Sequence, residues 1–553
     1  MKSKFASRII IASLAAVTLL CQPAARAENL SQIPARTPPA WLRDGVVYEI
    51  FPRDFSPAGN LAGVTASLDE LKDLGVTILW TMPIHPIGEK CRKGQFGSPY
   101  SVKDFYAVDP HYGTVDDFKR LVAEAHKRDM KVIMDLVANH TAWDSVMMRH
   151  KEYYKQDAQG KAIPPVPEWT DVAGLDYGNP QLREYMITMM KYWVQTCDVD
   201  GFRCDVASMV PTDFWEAARA ELESVKPDIM LLAEASKPEL MVKAFDLDYS
   251  WPLMGALNDV LIKGAPASKL RASLEDSQRK FPRESLHMRI TDDHDEPRAV
   301  SRYGVYGALA GSALMFTLDG VPLLYNGMEV GDATESGDPA LFEKLPIVWS
   351  PKDRPPLRRI YHDLIKLRKE NAPFRSGRVI WLHNSIEDSL VTFKRADETN
   401  EFVVVINFSN RPVHGQVDVT NGGDFKPVQI AGMPQVPNQD FPSVHLGAFD
   451  WRIYQRSLPF LEAKKPVSAA PVLLAQQTAD PPAPLPQIKP ATAIRVVKNS
   501  QSRARSPFEH GATLLIFSWC RDQVVEAPQP APEALPAEHA VADTGAIQVG
   551  STH

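Results

Sequence analysis

The chain lacks several features that would mark a specialised class. Its 553 residues include only five cysteines, irregularly spaced and without a C-x-x-C pair, which excludes a disulfide scaffold and a zinc ribbon. Basic excess is missing too: Lys+Arg 61 against Asp+Glu 68 gives a net charge of −7, with no basic run, so nucleic acid and anionic membrane are not expected partners. The apolar run at 9–20 falls short of the roughly 20 residues that span a bilayer. No Gly-rich phosphate loop follows the first predicted strand, which disfavours a doubly wound nucleotide-binding sheet. What remains is ordinary globular composition, 44% hydrophobic and 23% charged, in a chain long enough for several domains or one large barrel with appendages.

The N-terminus reads as an address. Lys2, Lys4 and Arg8 precede the apolar run, and Ala25-Arg26-Ala27 follows it. A basic head, a short apolar core and an A-x-A end predict a secretory signal peptide over 1–27, cleaved after Ala27, and export to the periplasm or the medium. Bulky Leu20 before Cys21 argues against a lipoprotein. No membrane span is expected in the mature chain.

Between 46 and 371, short β-branched runs alternate with helical patterns. Strands are predicted at 46–50, 76–83, 132–137, 201–206, 230–235, 245–249, 287–291 and 321–325. Amphipathic stretches lie at 61–74, 115–130, 181–196, 211–225, 267–280, 306–318 and 356–370. Eight apolar strands, mostly separated by helices, predict an α/β fold with parallel strands buried on both faces, a (β/α)₈ TIM barrel over 41–372. The third strand-to-helix connection, 141–179, is long enough to form an inserted subdomain, and it carries Trp143 and Trp169. After 372 the pattern changes to alternation (379–383, 390–395, 402–408, 453–455), predicting a C-terminal antiparallel β-sandwich over 373–456. The Pro/Ala-rich remainder, 457–553, reads as a mostly disordered tail with one apolar island at 512–519.

In such a barrel the C-terminal ends of the strands surround the active site. The third strand ends in Asp135-Leu-Val-Ala-Asn139-His140, and the fourth carries Gly201-Phe-Arg203-Cys-Asp205. The fifth ends at Glu234 and the seventh at Asp293-His294-Asp295. Acids converging on one mouth cost free energy unless paired, hydrogen-bonded or hydrated. Arg203 lies two residues before Asp205, on the same strand face, and is placed to pair with it.

These segments resemble the four signature regions of the alpha-amylase family, glycoside hydrolase family 13. Tyr48-Glu-Ile-Phe, Gly97-Ser-Pro-Tyr100 and Gly320-Val-Pro-Leu-Leu-Tyr325-Asn-Gly-Met-Glu329 are similar to further motifs of that family, in the same order. The resemblance runs from Trp41 to Arg456. It implies a retaining glycosidase acting on α-1,4-glucosidic bonds of starch, maltodextrin or maltooligosaccharides. Asp205 would be the nucleophile, Glu234 the general acid/base, and Asp295 the carboxylate that holds the sugar's 2- and 3-hydroxyls. Arg203 would keep Asp205 charged, and negative charge from Asp205 and Asp295 would raise the pKa of Glu234. His140 and His294 would donate hydrogen bonds to the sugar, and Tyr100 would stack on it. An α-glucosidase or a glucanotransferase on the same scaffold is the alternative; a non-catalytic carbohydrate-binding protein is a third reading, opposed by the intact trio of acids.

The sequence departs from the family at two places. Many alpha-amylases follow the nucleophile with a Lys-His pair that contacts the leaving sugar and helps bind a structural calcium; here Ser208 and Met209 stand there. Asn139 and Asp176 remain as candidate metal ligands, too few for the six to eight oxygens that Ca²⁺ prefers. The chemistry itself requires no cofactor. Asp293 occupies a place commonly held by Asn, an added acid that could shift the pH optimum or coordinate a cation.

Overall fold

The computed structural model describes residues 29–350, 357–434 and 441–458. The predicted signal peptide and all but the first two residues of the predicted tail, including the island at 512–519, lie outside them. Among the described residues, eight parallel strands close into one barrel: β1 (Val47–Ile50), β2 (Ile78–Thr81), β3 (Lys131–Leu136), β4 (Gly201–Cys204), β5 (Met230–Ala233), β6 (Leu247–Tyr249), β7 (His287–Arg289) and β8 (Val321–Tyr325). Each pairs with its neighbours in chain order, and β8 closes on β1 with Val47 opposite Leu323. All eight predicted strands are present, several trimmed at their ends.

The two-residue period of a strand decides what faces the axis. Val47, Ile78, Trp80, Ile133, Met230, Leu232 and Leu323 pack together inside the barrel. Their alternates, among them Tyr48, Leu79, Met134, Phe202 and Leu231, face outward into a second core beneath the helices. The same parity carries Glu49, Asp135, Arg203, Asp205 and Glu234 to the axis at the C-terminal ends of their strands. Gly201 opens β4 because a Cβ there would stand 2.1 Å from the Met230 carbonyl oxygen on β5.

Local chemistry sets the helix boundaries. Val115–His126 starts at a capping box in which Thr114 and Asp117 satisfy each other's backbone N–H. Pro180–Cys197 starts at Asn179, whose side chain accepts from the N–H groups of Gln181 and Leu182. The stretch read as one helix over 61–74 is two, Leu61–Ala66 and Leu68–Leu74, because Ser67 leaves helical geometry. The helix read from 306 begins at Ala299 and is interrupted at Gly304, φ 68°.

The long connection after β3 holds a two-stranded antiparallel sheet, His140–Ala142 against Val172–Gly174. After the barrel, Leu390–Ala396, Asn400–Asn407 and Trp451–Ser457 form the centre of a five-stranded antiparallel sheet. Val413–Gln416 pairs with Ser443–Leu446 in a second small sheet that the sequence reading missed. Buried Arg395 joins this region to the barrel, donating to the Thr317 carbonyl at the end of the helix before β8 at 2.7 Å and to the Gly377 carbonyl in the connecting segment at 2.8 Å. Among the described residues no helix is long and apolar enough to cross a membrane.

Candidate active site

One buried guanidinium organises the mouth of the barrel. Arg203 Nη1 donates to Asp135 Oδ1 at 2.9 Å and to Asp205 Oδ1 at 2.9 Å. Its Nη2 lies 2.9 Å from Glu234 Oε2, an ion pair outside hydrogen-bond alignment. The Trp80, Tyr100 and Tyr249 rings surround it at 5.2–5.8 Å. Asp135 is saturated from its other sides by Trp80 Nε1 at 3.2 Å and the Tyr100 hydroxyl at 3.1 Å.

Burial is the first cause that pushes the carboxyls of Asp205 and Glu234 above the ordinary range. For Asp205 the charge of Glu234 adds to it, and Arg203 opposes. For Glu234 Arg203 opposes, and Asp295 adds to the rise. The sequence reading assigned the rise at Glu234 to neighbouring charge; desolvation is the larger cause. Two such acids beside one cation hold a proton between them. Arg203 opposes the rise at both acids, through an aligned bond at Asp205 and, at Glu234, together with the Val206 N–H.

Val206 ties the two acids together through the backbone. The predicted strand runs through Val206, yet β4 stops at Cys204, and Val206 adopts φ 37°, ψ 46°. A β-branched residue in left-handed geometry is strained. The strain aims the Val206 N–H at Glu234 Oε2, 2.7 Å away, directly after Asp205 in the chain.

His140 and His294 reach the same mouth in opposite charge states. Burial lowers the pKa of His140 to about 3, so it is neutral. The Asn139 amide nitrogen faces its Nδ1 at 3.3 Å, leaving the proton on Nε2, 4.0 Å from Asp205 Oδ2. For His294 burial pulls downward, but the charges of Asp295 and Glu49 outweigh it and raise the pKa to about 10. Its Nδ1 donates to Glu49 Oε1 at 2.5 Å, and its Nε2 lies 2.7 Å from the Tyr100 hydroxyl and 3.3 Å from Asp295 Oδ2. The Tyr100 ring stacks on His294, centroids 5.4 Å apart. The Asp295 side chain is 38% exposed, open to a ligand.

Asp293 is fully buried. Its Oδ1 accepts the backbone N–H of Asp295 and of Glu296, both at 3.2 Å. Burial, with Asp295 beside it, pushes its carboxyl well above the ordinary range, while His294 opposes.

The two residues expected to hold calcium make other contacts. The Asn139 amide nitrogen is 3.9 Å from the Met209 thioether, a soft group that calcium avoids, and its backbone carbonyl accepts the Leu175 N–H. Asp176 is exposed and turns back to accept the Gly178 N–H at 3.0 Å. Among the described residues no group of three or more His, Cys, Asp or Glu side chains is placed to hold a metal ion. Trp169 packs edge-on against His140 at 5.4 Å, whereas the Trp143 indole donates to the Thr170 carbonyl.

Sequence reasoning did not single out Glu49, Trp80 or Tyr249. Glu49 had a usable signal: an acid on an otherwise apolar strand, at inward parity. A histidine raised in the fold adds stability that is complete below its unfolded pKa of about 6.5 and is lost as pH rises toward its folded value. Glu49→Gln therefore narrows the stability gap between pH 6 and pH 10 relative to the wild type, read from denaturant midpoints. Equal gaps in both proteins would show that Glu49 does not charge His294.

Comparison with known proteins agrees with this geometry. Residues 39–164 and 168–350 match the family model described as alpha amylase, catalytic domain. An alpha-amylase from Lactobacillus plantarum superimposes with TM-score 0.66 at 30% identity, covering 75% of this chain and 99% of that one. A noncanonic maltogenic alpha-amylase, AmyB of Thermotoga neapolitana, gives TM-score 0.66 at 29% identity, covering 75% and 97%. Alpha-amylase MalA of Haloarcula japonica is 28% identical over 404 residues, 69% of this chain but only 58% of that protein's length.

Proposed function

The chain belongs to the alpha-amylase family, glycoside hydrolase family 13, and from that premise we propose that it is a retaining glycosidase cleaving α-1,4-glucosidic bonds of starch-derived maltooligosaccharides. The observation that carries the reading is that Asp205 and Glu234 share one buried Arg203, with Asp295 beside His294 in the same mouth. Retaining chemistry needs an ionised and a protonated carboxyl about 5–5.5 Å apart, a spacing that two acids on one guanidinium can supply.

Ionised Asp205 attacks the anomeric carbon while Glu234 passes its proton to the leaving glycosidic oxygen. Glu234, now a base, takes a proton from water, which attacks the same carbon and releases Asp205. Asp295 and charged His294 hold the sugar hydroxyls, and His140 donates its Nε2–H to the sugar. No step requires a metal. Exposed Ser208 and Met209 line the side from which the leaving sugar departs.

The test is the anomeric NMR spectrum of the first products from maltoheptaose in a chelating buffer. The α-anomer appears first, and Asp205→Asn and Glu234→Gln each lower kcat by about 10²–10⁴-fold. First release of the β-anomer, or products mostly longer than the substrate, would contradict retaining hydrolysis; activity lost to the chelator would contradict metal independence.

We also propose export, supported by the basic head, the short apolar run and the Ala25-Arg26-Ala27 end. Protein expressed from the full chain should begin at Glu28 by N-terminal sequencing of the exported fraction. Retention in the cytoplasm with an uncut N-terminus would oppose the reading. The matched Bacillus subtilis maltogenic amylase is named as intracellular.

A further inference from the structure

A rim of three loops stands over the Asp295 side of the mouth, and sugar stereochemistry dictates what would pass there. In an α-1,4-glucan the reacting ring carries the rest of the chain, toward the non-reducing end, on O4, next to O3. If C1 sits between Asp205 and Glu234 and the 2- and 3-hydroxyls sit at Asp295, as the proposed function on which this inference rests requires, the donor part of the chain leaves past Asp295.

That exit is tied across by contacts between distant segments. Lys93, in the loop after β2, places its ammonium 3.0 Å from Asp171 Oδ1 in the insert after β3. The Asp171 carboxylate is nearly buried, 7% exposed, and its carbonyl accepts the Ser101 hydroxyl at 3.1 Å. The same loop is fastened to the one after β8: the Phe96 N–H donates to the Phe342 carbonyl at 2.8 Å, and the Gln95 N–H to Glu343 Oε1 at 3.1 Å. Gly94, φ 60°, makes the approach possible, since a Cβ there would lie 2.5 Å from that of Phe342. Arg53 braces both loops from behind, donating to the carbonyls of Leu341 and Gly97. The loop after β8 in turn sits on Asp295: a Cβ at Gly337 would be 3.0 Å from the Asp295 carbonyl oxygen. The next residue, Asp338, has a carboxyl raised by burial against the pull of Lys93.

An ion pair alone would be a weak strap, because exposed pairs contribute little. Here main-chain bonds fix the loop after β2 to both others, Phe96 N–H to the Phe342 carbonyl and Ala142 N–H to the Val102 carbonyl, and the Lys93–Asp171 pair adds a charged tie at the rim itself. We propose that this tied rim ends the donor side of the cleft shortly beyond the reacting sugar, so that the enzyme works from non-reducing chain ends of short maltooligosaccharides, with Lys93 as the residue that sets this preference. The chain end then meets a wall, where an open cleft would let an internal bond reach the acids.

The experiment compares maltoheptaose with maltoheptaose whose non-reducing end is capped by a 4,6-O-ethylidene group, with products sized by chromatography. The wild type cleaves the capped substrate at less than about a tenth of the uncapped rate, and Lys93→Ala raises that ratio by about fivefold or more. The exchange Lys93→Asp with Asp171→Lys, which restores an ion pair, returns the ratio toward the wild-type value. Equal rates on both substrates by the wild type would overturn the proposal while leaving the glycosidase reading intact. An unchanged ratio in folded Lys93→Ala would also overturn it. If neither heptaose is cleaved, the glycosidase reading fails and this inference with it.

Discussion

A single cation buried among acids is the constraint on which the rest depends. Arg203 has no exposed surface, yet it contacts Asp135, Asp205 and Glu234. Leaving any of these charges unpaired in the barrel mouth would cost several kcal/mol. The guanidinium suits the task because it is planar, stays charged and presents donors on two edges, which a lysine ammonium does not. Trp80, Tyr100 and Tyr249 exclude water around it, so its field acts at low dielectric on the acids that need it. The barrel supplies the convergence, because residues two apart on adjacent parallel strands face one axis.

Around that cation the acids are held by unequal contacts. Asp135 is saturated by donors and serves as ballast for Arg203. Asp205 receives an aligned bond, whereas Glu234 receives an unaligned ion pair and the Val206 N–H. The strained backbone at Val206 lies between the residue assigned as nucleophile and the partner of the acid/base, linking their positions without another side chain. On the far side, Glu49 and Asp295 hold His294 charged while His140 is neutral, so two histidines that look alike in the sequence present different proton inventories. Asp293 shows the converse: a buried acid whose surroundings push its carboxyl upward.

Much of the fold was legible because it is written in local periodicity. Eight apolar runs became eight strands, and the acids at their ends lie where strand parity sends them. The errors fall where single residues override a period. Ser67 splits a helix, Gly304 interrupts another, and Val206 ends β4 early. Less of the site could be read. Glu49 meets His294 across 245 positions of chain, and Lys93 meets Asp171 only because two loops fold over the same mouth. Neither pair leaves a spacing signature. The small sheet of Val413–Gln416 and Ser443–Leu446 escaped for the same reason: each strand is four residues long, and its partner is distant.

The central claim is that Asp205 forms a bond to the sugar while Glu234 handles the proton. It is tested most directly by trapping that bond. In Glu234→Gln, α-maltosyl fluoride can still glycosylate the enzyme, because fluoride leaves without an acid, but release by water is slow. Mass spectrometry of the intact protein should gain one maltosyl unit, and fragmentation should place it on the peptide containing Asp205. An adduct on another residue, or steady fluoride release with no adduct at any time, would contradict the account.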